Sequence, residues 1–388
     1  MSETESPEAP APARREPAWM SLLPTVRMTL LSIAVALAFG AVLIAISDPR
    51  VVGADSFGGA LKGLGSAIGG SYWALVTGSI GSWAAFVDTL TKAAPLVCAG
   101  LGVTLAFRAG LFNIGAQGQL VLGAIFAGYV GFAMDLPVGI HLVVAVIAAG
   151  VGGALWGAIP GLLKARTGAH EVITTIMLNY VGGSLLLYLL TNVSAFGRAG
   201  QLNPRSRPVD ASATFPTIFS IHIGVLLAVV ATAVVWWLLE RTTLGFQMKA
   251  AGANPLASRT AGMNVPRLYM YAMMIAGGLA GLGAAMTVLG QRLSLTTSFA
   301  GSLGFDAITV ALLGRATPVG TLLAGLLFGA LDAGGVQMQA GQGTPIQLTE
   351  VIKALIVLFV AAPAAVRGLL RLKGKAPGTT MEAKGWGG

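Results

Sequence analysis

MTLLSIAVALAFGAVLIAIS, residues 28–47, carries no charged side chain and runs directly into Asp48-Pro49-Arg50. A helix rises 1.5 Å per residue, so about 20 apolar residues cover the roughly 30 Å of hydrocarbon in a bilayer. The run is long enough to span. A secretory leader would open with a short basic region and carry a shorter apolar core ending in a small-residue cleavage site. Residues 28–47 are instead expected to remain as a membrane helix. The preceding residues 1–27 are rich in Pro, Ala, Glu and Arg, too polar to bury a core, and are expected to form a disordered cytoplasmic tail.

Working outward, the same pattern recurs along the 388-residue chain, which is 55% apolar and only 10% charged. An average soluble protein has roughly a quarter of its residues charged. The 54 glycines fall inside apolar runs, where small residues let membrane helices approach closely. Length and breaks at charges, Pro and polar clusters place helices near 28–47, 89–107, 112–133, 138–162, 172–191, 220–239, 268–289, 305–314, 318–336 and 350–370. The expected fold is an all-α polytopic membrane protein of about ten transmembrane helices, with the membrane domain over 28–370. The eighth segment is too short to span and is expected to be a broken helix, tolerated only where protein or a cavity surrounds it. Segment 51–87 is short, apolar and split by Gly78, Gly81 and Ser82, and is expected to be extracytoplasmic or interfacial.

Charge placement supplies sidedness. With 51–87 outside, sixteen Lys and Arg fall on the inner side and seven on the outer, with Lys353 inside the last helix. The positive-inside bias then puts both termini in the cytoplasm, including a basic tail over 371–388. The net charge of +9 is explained the same way, since the cations sit at helix ends and form no aromatic-interleaved patch for nucleic acid. Cys98 is the lone cysteine, and no Cys or His spacing suits a metal. No cofactor is expected.

No phosphate-cradling Gly-x-x-x-x-Gly-Lys-Ser/Thr string occurs, so ATP hydrolysis would need a separate subunit. His141, His170 and His222 lie in separate segments and suggest helix-end or packing roles rather than a catalytic cluster. No catalytic residue is assigned. The inner loop over 240–267 is more informative. Asn254 suits the cap of a helix that opens with Pro255 and ends at Gly262. Such a helix either joins two spans or docks into a partner's groove.

Four motifs carry a resemblance. They are Ala106-Phe107-Arg108-Ala109-Gly110-Leu111-Phe112-Asn113-Ile114-Gly115-Ala116-Gln117-Gly118-Gln119, Glu171 to Tyr180, the 244–265 loop, and Gly304-Phe305-Asp306 through Gly314. Together, over roughly residues 70–370, the chain resembles the permease subunits of bacterial ABC importers of the branched-chain amino acid and simple sugar class, nearest the nucleoside branch served by a basic-membrane-protein type receptor. The resemblance implies a ten-helix fold like that of the vitamin B12 importers. It also implies a bacterial plasma-membrane location, a cytoplasmic ABC ATPase, a second permease subunit and an extracytoplasmic substrate-binding lipoprotein. The ATPase-coupling residues it implies are Gly252, Asn254, Ala257, Ser258, Arg259 and Gly262. The family often has Ala-Ala-Arg where this chain has Ala257-Ser258-Arg259, a small-for-small change that leaves docking intact. The long polar extension at the start resembles the longer of two paired permeases and suggests a heterodimer.

Polar groups within spans are costly in hydrocarbon and tend to face a cavity or a partner helix. Asn113 and Gln117, four apart, would share a helix face, with Gln119 pointing elsewhere. Asn113, Gln117, Asn179, Asp306, Thr309, Asp332 and Glu350 are the candidate substrate-pathway residues. The alternative is glue between helices, such as a Glu350 to Lys353 pair, or helix capping by Asn113. The competing function is a self-contained secondary transporter in which Asp306, Asp332 or Glu350 takes up H+ or Na+. Small-residue spacings at Gly153, Gly157 and Gly161, and at Gly277 and Gly281, suit tight helix crossing.

Overall fold

Apolar runs bounded by caps and glycines become helices in order. The computed structural model describes residues 18–53, 56–197 and 203–371. Its helices are α1 (Ala18–Ser47), α2 (Pro49–Val52), α3 (Phe57–Ile80), α4 (Trp83–Arg108), α5 (Ala116–Ala133), α6 (Ile140–Thr167), α7 (Glu171–Asn192) and α8 (Gly224–Arg241). There follow α9 (Thr243–Ala253), α10 (Pro255–Thr260), α11 (Val265–Ala285), α12 (Leu303–Leu313), α13 (Pro318–Gln342), α14 (Ile346–Ala361) and α15 (Pro363–Leu369). A π-helical turn, Met286–Arg292, continues α11. Between α7 and α8 lies a small hairpin, β1 (Thr217–Ile218) and β2 (Ile221–His222), paired antiparallel.

Each of the ten expected apolar segments contains a helix, the last of them split at Ala362 into α14 and α15 because Pro363 supplies no N–H to continue the first, and among the described residues eight helices are long and apolar enough to cross a membrane. The eighth expected segment is α12, eleven residues long. Local chemistry explains several boundaries. The Ser82 hydroxyl accepts from the Ala85 N–H and starts α4 six residues before the expected position 89. Gly168 and Gly343, at φ +70° and +72°, end α6 and α13 in the left-handed conformation. The first helix begins at Ala18 rather than Met28, so the stretch 18–27 is helical and not part of a structureless tail. Segments 1–17 and 372–388 lie outside the described residues. Within 51–87 the structure forms one 24-residue helix, α3, which packs on α13 where Gly334 lies against the Leu75 carbonyl.

Glycines set the tightest crossings. A Cβ on Gly153 would overlap the Gly277 carbonyl, and one on Gly281 would overlap Ala149, so α6 and α11 meet backbone to backbone. The paired residues descend on one helix as they rise on the other, which makes the two antiparallel. Helix α4 likewise runs against α11, with Gly102 on Ala276 and Pro95 on Gly283, and against α13, where the Thr104 and Thr321 hydroxyls bond at 2.7 Å. Helices α4 and α6 therefore point one way while α11 and α13 point the other.

That arrangement is an inverted repeat. Exchanging α4, α5, α6 and α7 for α11, α12, α13 and α14 turns the packing pairs α4–α13, α4–α12 and α5–α7 into α11–α6, α11–α5 and α12–α14, all of which are present. The pseudo-twofold axis passes where α5 meets α12, since Gln117 and Gly304, each the second residue of its helix, are in direct backbone contact.

Candidate functional site

Two places gather the candidate residues: a hook at one end of the bundle and a junction of broken helices within it. The hook is α9 and α10. The Asn254 side chain accepts from the Ala257 N–H at 3.0 Å, Pro255 opens α10, and Gly262 closes it at φ +81°. The capping read from the loop sequence is therefore the geometry present. Ser258 is buried, while Leu256, Ala257 and Arg259 are exposed, and Arg259 has no carboxylate within ion-pair distance among the described residues. Gly252 pins the hook to the body: a Cβ there would overlap the Arg108 carbonyl and stand 2.8 Å from the Gly110 nitrogen. Gly110, at φ +74°, presents its backbone to Gly252 in return. The Arg108 Nε donates to the Ala316 carbonyl at 2.6 Å, in the turn between α12 and α13.

A single helix over 112–133 is not formed, because residues 111–114 stay non-helical and α5 starts only at Ala116. Asn113 Oδ1 accepts from the Gly115 N–H at 3.0 Å, a side-chain turn that competes with helix. Asn113 and Gln117 consequently do not share a face. Asn113, fully buried, pairs with Gln119, donating to Oε1 at 3.0 Å. Gln117 reaches α12 instead, donating to the Gly301 carbonyl at 3.0 Å and accepting from the Gly304 N–H at 2.8 Å. Asn179 on α7 accepts from the Gly118 N–H at 2.8 Å and donates to the Ile114 carbonyl at 2.9 Å. Asn179 lies eight residues into α7, about 12 Å from its start, so α5 opens well inside the bundle. Irregular backbone at that depth requires such partners.

The second half of the repeat holds charge where the first holds amides. Lys353 on α14 contacts Asp332 on α13 at 2.7 Å and Asp306 on α12 at 3.6 Å. The alternative Glu350 to Lys353 pair does not form, because Lys353 turns inward toward these two carboxylates while Glu350 is exposed. The Ser302 hydroxyl donates to Asp306 at 2.9 Å, and Lys92 on α4 donates to the Asp332 carbonyl at 3.2 Å. Asp306 stands in the first turn of α12, where the helix dipole favours a negative charge. Thr309 donates to the Phe305 carbonyl one turn back. Lys92 and Trp156, both at the junction, were not singled out by sequence, since neither spacing nor composition marks a residue whose partner lies on a distant helix.

Residues 85–361 match the family described as the permease component of branched-chain amino acid transport systems. The chain belongs to that family. It is 39% identical over 318 residues to the guanosine ABC transporter permease protein NupP of Bacillus subtilis, covering 80% of this chain and 91% of that one. A glucose ABC transporter permease protein of Haloferax volcanii is 34% identical over 360 residues, covering 90% and 89%. A nucleoside ABC transporter permease protein of Lactococcus lactis is 34% identical over 304 residues, covering 75% and 82%. This permease is a multi-pass membrane subunit of an ABC transporter.

Proposed function

We propose that the permease forms half of the translocation pathway of an ATP-driven importer for nucleosides, with simple sugars the neighbouring substrate class. The 39% identity to the guanosine permease protein carries this reading. The permease would sit in the bacterial plasma membrane with its termini and the α9–α10 hook in the cytoplasm, segment 51–87 on the other side, and a receptor lipoprotein delivering substrate there. Bacillus subtilis and Lactococcus lactis each have two different permease proteins similar to this chain, at 39% and 26% and at 34% and 24% identity. That pairing supports a heterodimeric pore.

In this reading, an ATPase docks on α10 through Arg259 and the small surface of Ala257 and Gly262. Gly252 and Gly110 then hand its motion to Arg108, and Arg108 to the turn between α12 and α13. The first link is backbone against backbone at Gly252, and the last is one hydrogen bond from the Arg108 side chain to the Ala316 carbonyl. Nucleotide state can shift the pore only through its different affinity for the inward and outward conformations.

Arg259→Glu tests the docking. It should abolish ATP-dependent uptake in reconstituted vesicles and loosen co-purification with the ATPase, leaving the chain in the membrane. Undiminished co-purification would remove α10 from the interface. Uptake by the purified chain alone, driven by an imposed H+ or Na+ gradient without ATP, would replace the importer with a secondary transporter.

A further inference from the structure

The inverted repeat builds two equivalent spots and fills them differently. Around the start of α5, the amides of Asn113, Gln119 and Asn179 bond to one another and to backbone, and the Trp156 indole nitrogen lies buried beside Gly118. Around the start of α12 there is instead a cavity of about 340 Å³, walled by Ser302, Asp306, Thr309, Phe328, Glu350 and Lys353. The fold alone therefore requires neither the opening nor the charges. Ionisable groups at such depth are costly and mark ligand pathways.

We propose that this cavity is a subsite for the hydroxylated ring of the transported molecule, an inference that rests on the transport function above. Pockets for small molecules begin at about 300 Å³, which here suits one sugar ring rather than a whole nucleoside. The three similar transport proteins are named for guanosine, glucose and nucleosides, which share a polyhydroxylated ring and not a base. Asp306 and Glu350 are acceptors for ring hydroxyls. Lys353 has three N–H donors and one short contact, to Asp332, which leaves donors for a hydroxyl oxygen. Thr309 uses its proton on Phe305 and keeps its lone pairs. Phe328 lies buried behind Lys353, whose ammonium stands 5.8 Å from its ring, and backs the cavity without facing it openly. The base stays outside the cavity.

Thiol protection tests this directly. Ala354 is exposed on the cavity wall, and the natural Cys98 is fully buried, so an Ala354→Cys chain in the assembled transporter offers one reactive thiol. Uridine and D-ribose should slow its alkylation by a small maleimide, whereas 2′,3′-dideoxyuridine and the free base uracil should not. Glu350→Gln and Asp306→Asn, each added to that chain, should raise the uridine concentration for half-protection about tenfold to a hundredfold, the worth of a hydrogen bond to a charged group. Equal protection by dideoxyuridine or uracil would overturn the subsite, as would protection indifferent to both carboxamide variants. ATP-driven uridine uptake in the same vesicles separates the two claims: uptake without hydroxyl-dependent protection removes the subsite alone, and absence of nucleoside and sugar uptake removes the transport function.

Discussion

At Gly252, no side chain fits between α9 and the turn that ends α4. Gly252→Ala would force a methyl into the Arg108 carbonyl and should cost about 1–3 kcal/mol, the range for overpacking a closed contact. Limited proteolysis in detergent should then cut within 250–262 sooner, and uptake should fall with it; unchanged cutting would mean the hook is held elsewhere. Lys353 poses the opposite problem, a charge that two carboxylates share. Lys353→Leu should lower the thermal midpoint by the equivalent of about 3–5 kcal/mol, because it strands Asp332. Adding Asp332→Leu should recover most of that midpoint without restoring transport, and a double variant no better than the single would show that the pair is not the cause. Single residues differed in how far the sequence revealed them. Asn254, Pro255 and Gly262 act on neighbours within a few positions, so their roles could be read locally. Asn113 could not be placed, because its partner depends on where α5 begins, and Lys353 could not, because its partners lie on α12 and α13.

Whole elements were legible wherever apolarity alone decides, as in α1, α6 and α8, and illegible where a tertiary partner decides. The start of α5 is set by Asn179 from α7, and the helix over 57–80 is too rich in glycine to show its extent until α13 covers it. The β1–β2 hairpin is another tertiary product. Phe219 and Ser220 both adopt positive φ, and the Phe219 carbonyl accepts from the Trp83 indole at 3.1 Å. Behind it His222 is buried against Phe215, with no hydrogen-bond partner for either ring nitrogen among the described residues, and burial lowers its pKa. A base with a depressed folded pKa takes up protons more readily once released. The hairpin should therefore be fully closed above the free value of about 6.5 and loosen as pH falls below it. Hydrogen-exchange protection factors at residues 215–222, corrected for the intrinsic pH dependence of amide exchange, should fall on acidification in the native protein and not in His222→Phe. Protection that is flat with pH would show that His222 stays neutral whether the hairpin is open or shut.

Across the molecule, the inverted repeat was the feature hardest to read, since it relates packing positions and not residue identities: amides in one half correspond to charges in the other. Close backbone contacts join its halves. Helix α11 is wedged on α4 and α6, and α13 on α4, with glycine backbones touching neighbouring main chain. The Thr104 and Thr321 oxygens, 2.7 Å apart, bridge the two halves near the hook. Thr104→Cys with Thr321→Cys should form a disulfide on mild oxidation and leave uptake at its reduced level. Loss of uptake on oxidation, regained on reduction, would show that the halves slide.

Secondary transporters that open to alternate sides often rock one repeat against the other. Here the repeats interlock like folded hands, with glycine backbone against main chain where α11 crosses α4 and α6. Parting them would first break those contacts, so in the proposed importer the larger swing is expected at the border with a second subunit, and a solitary copy of this chain should bind without pumping.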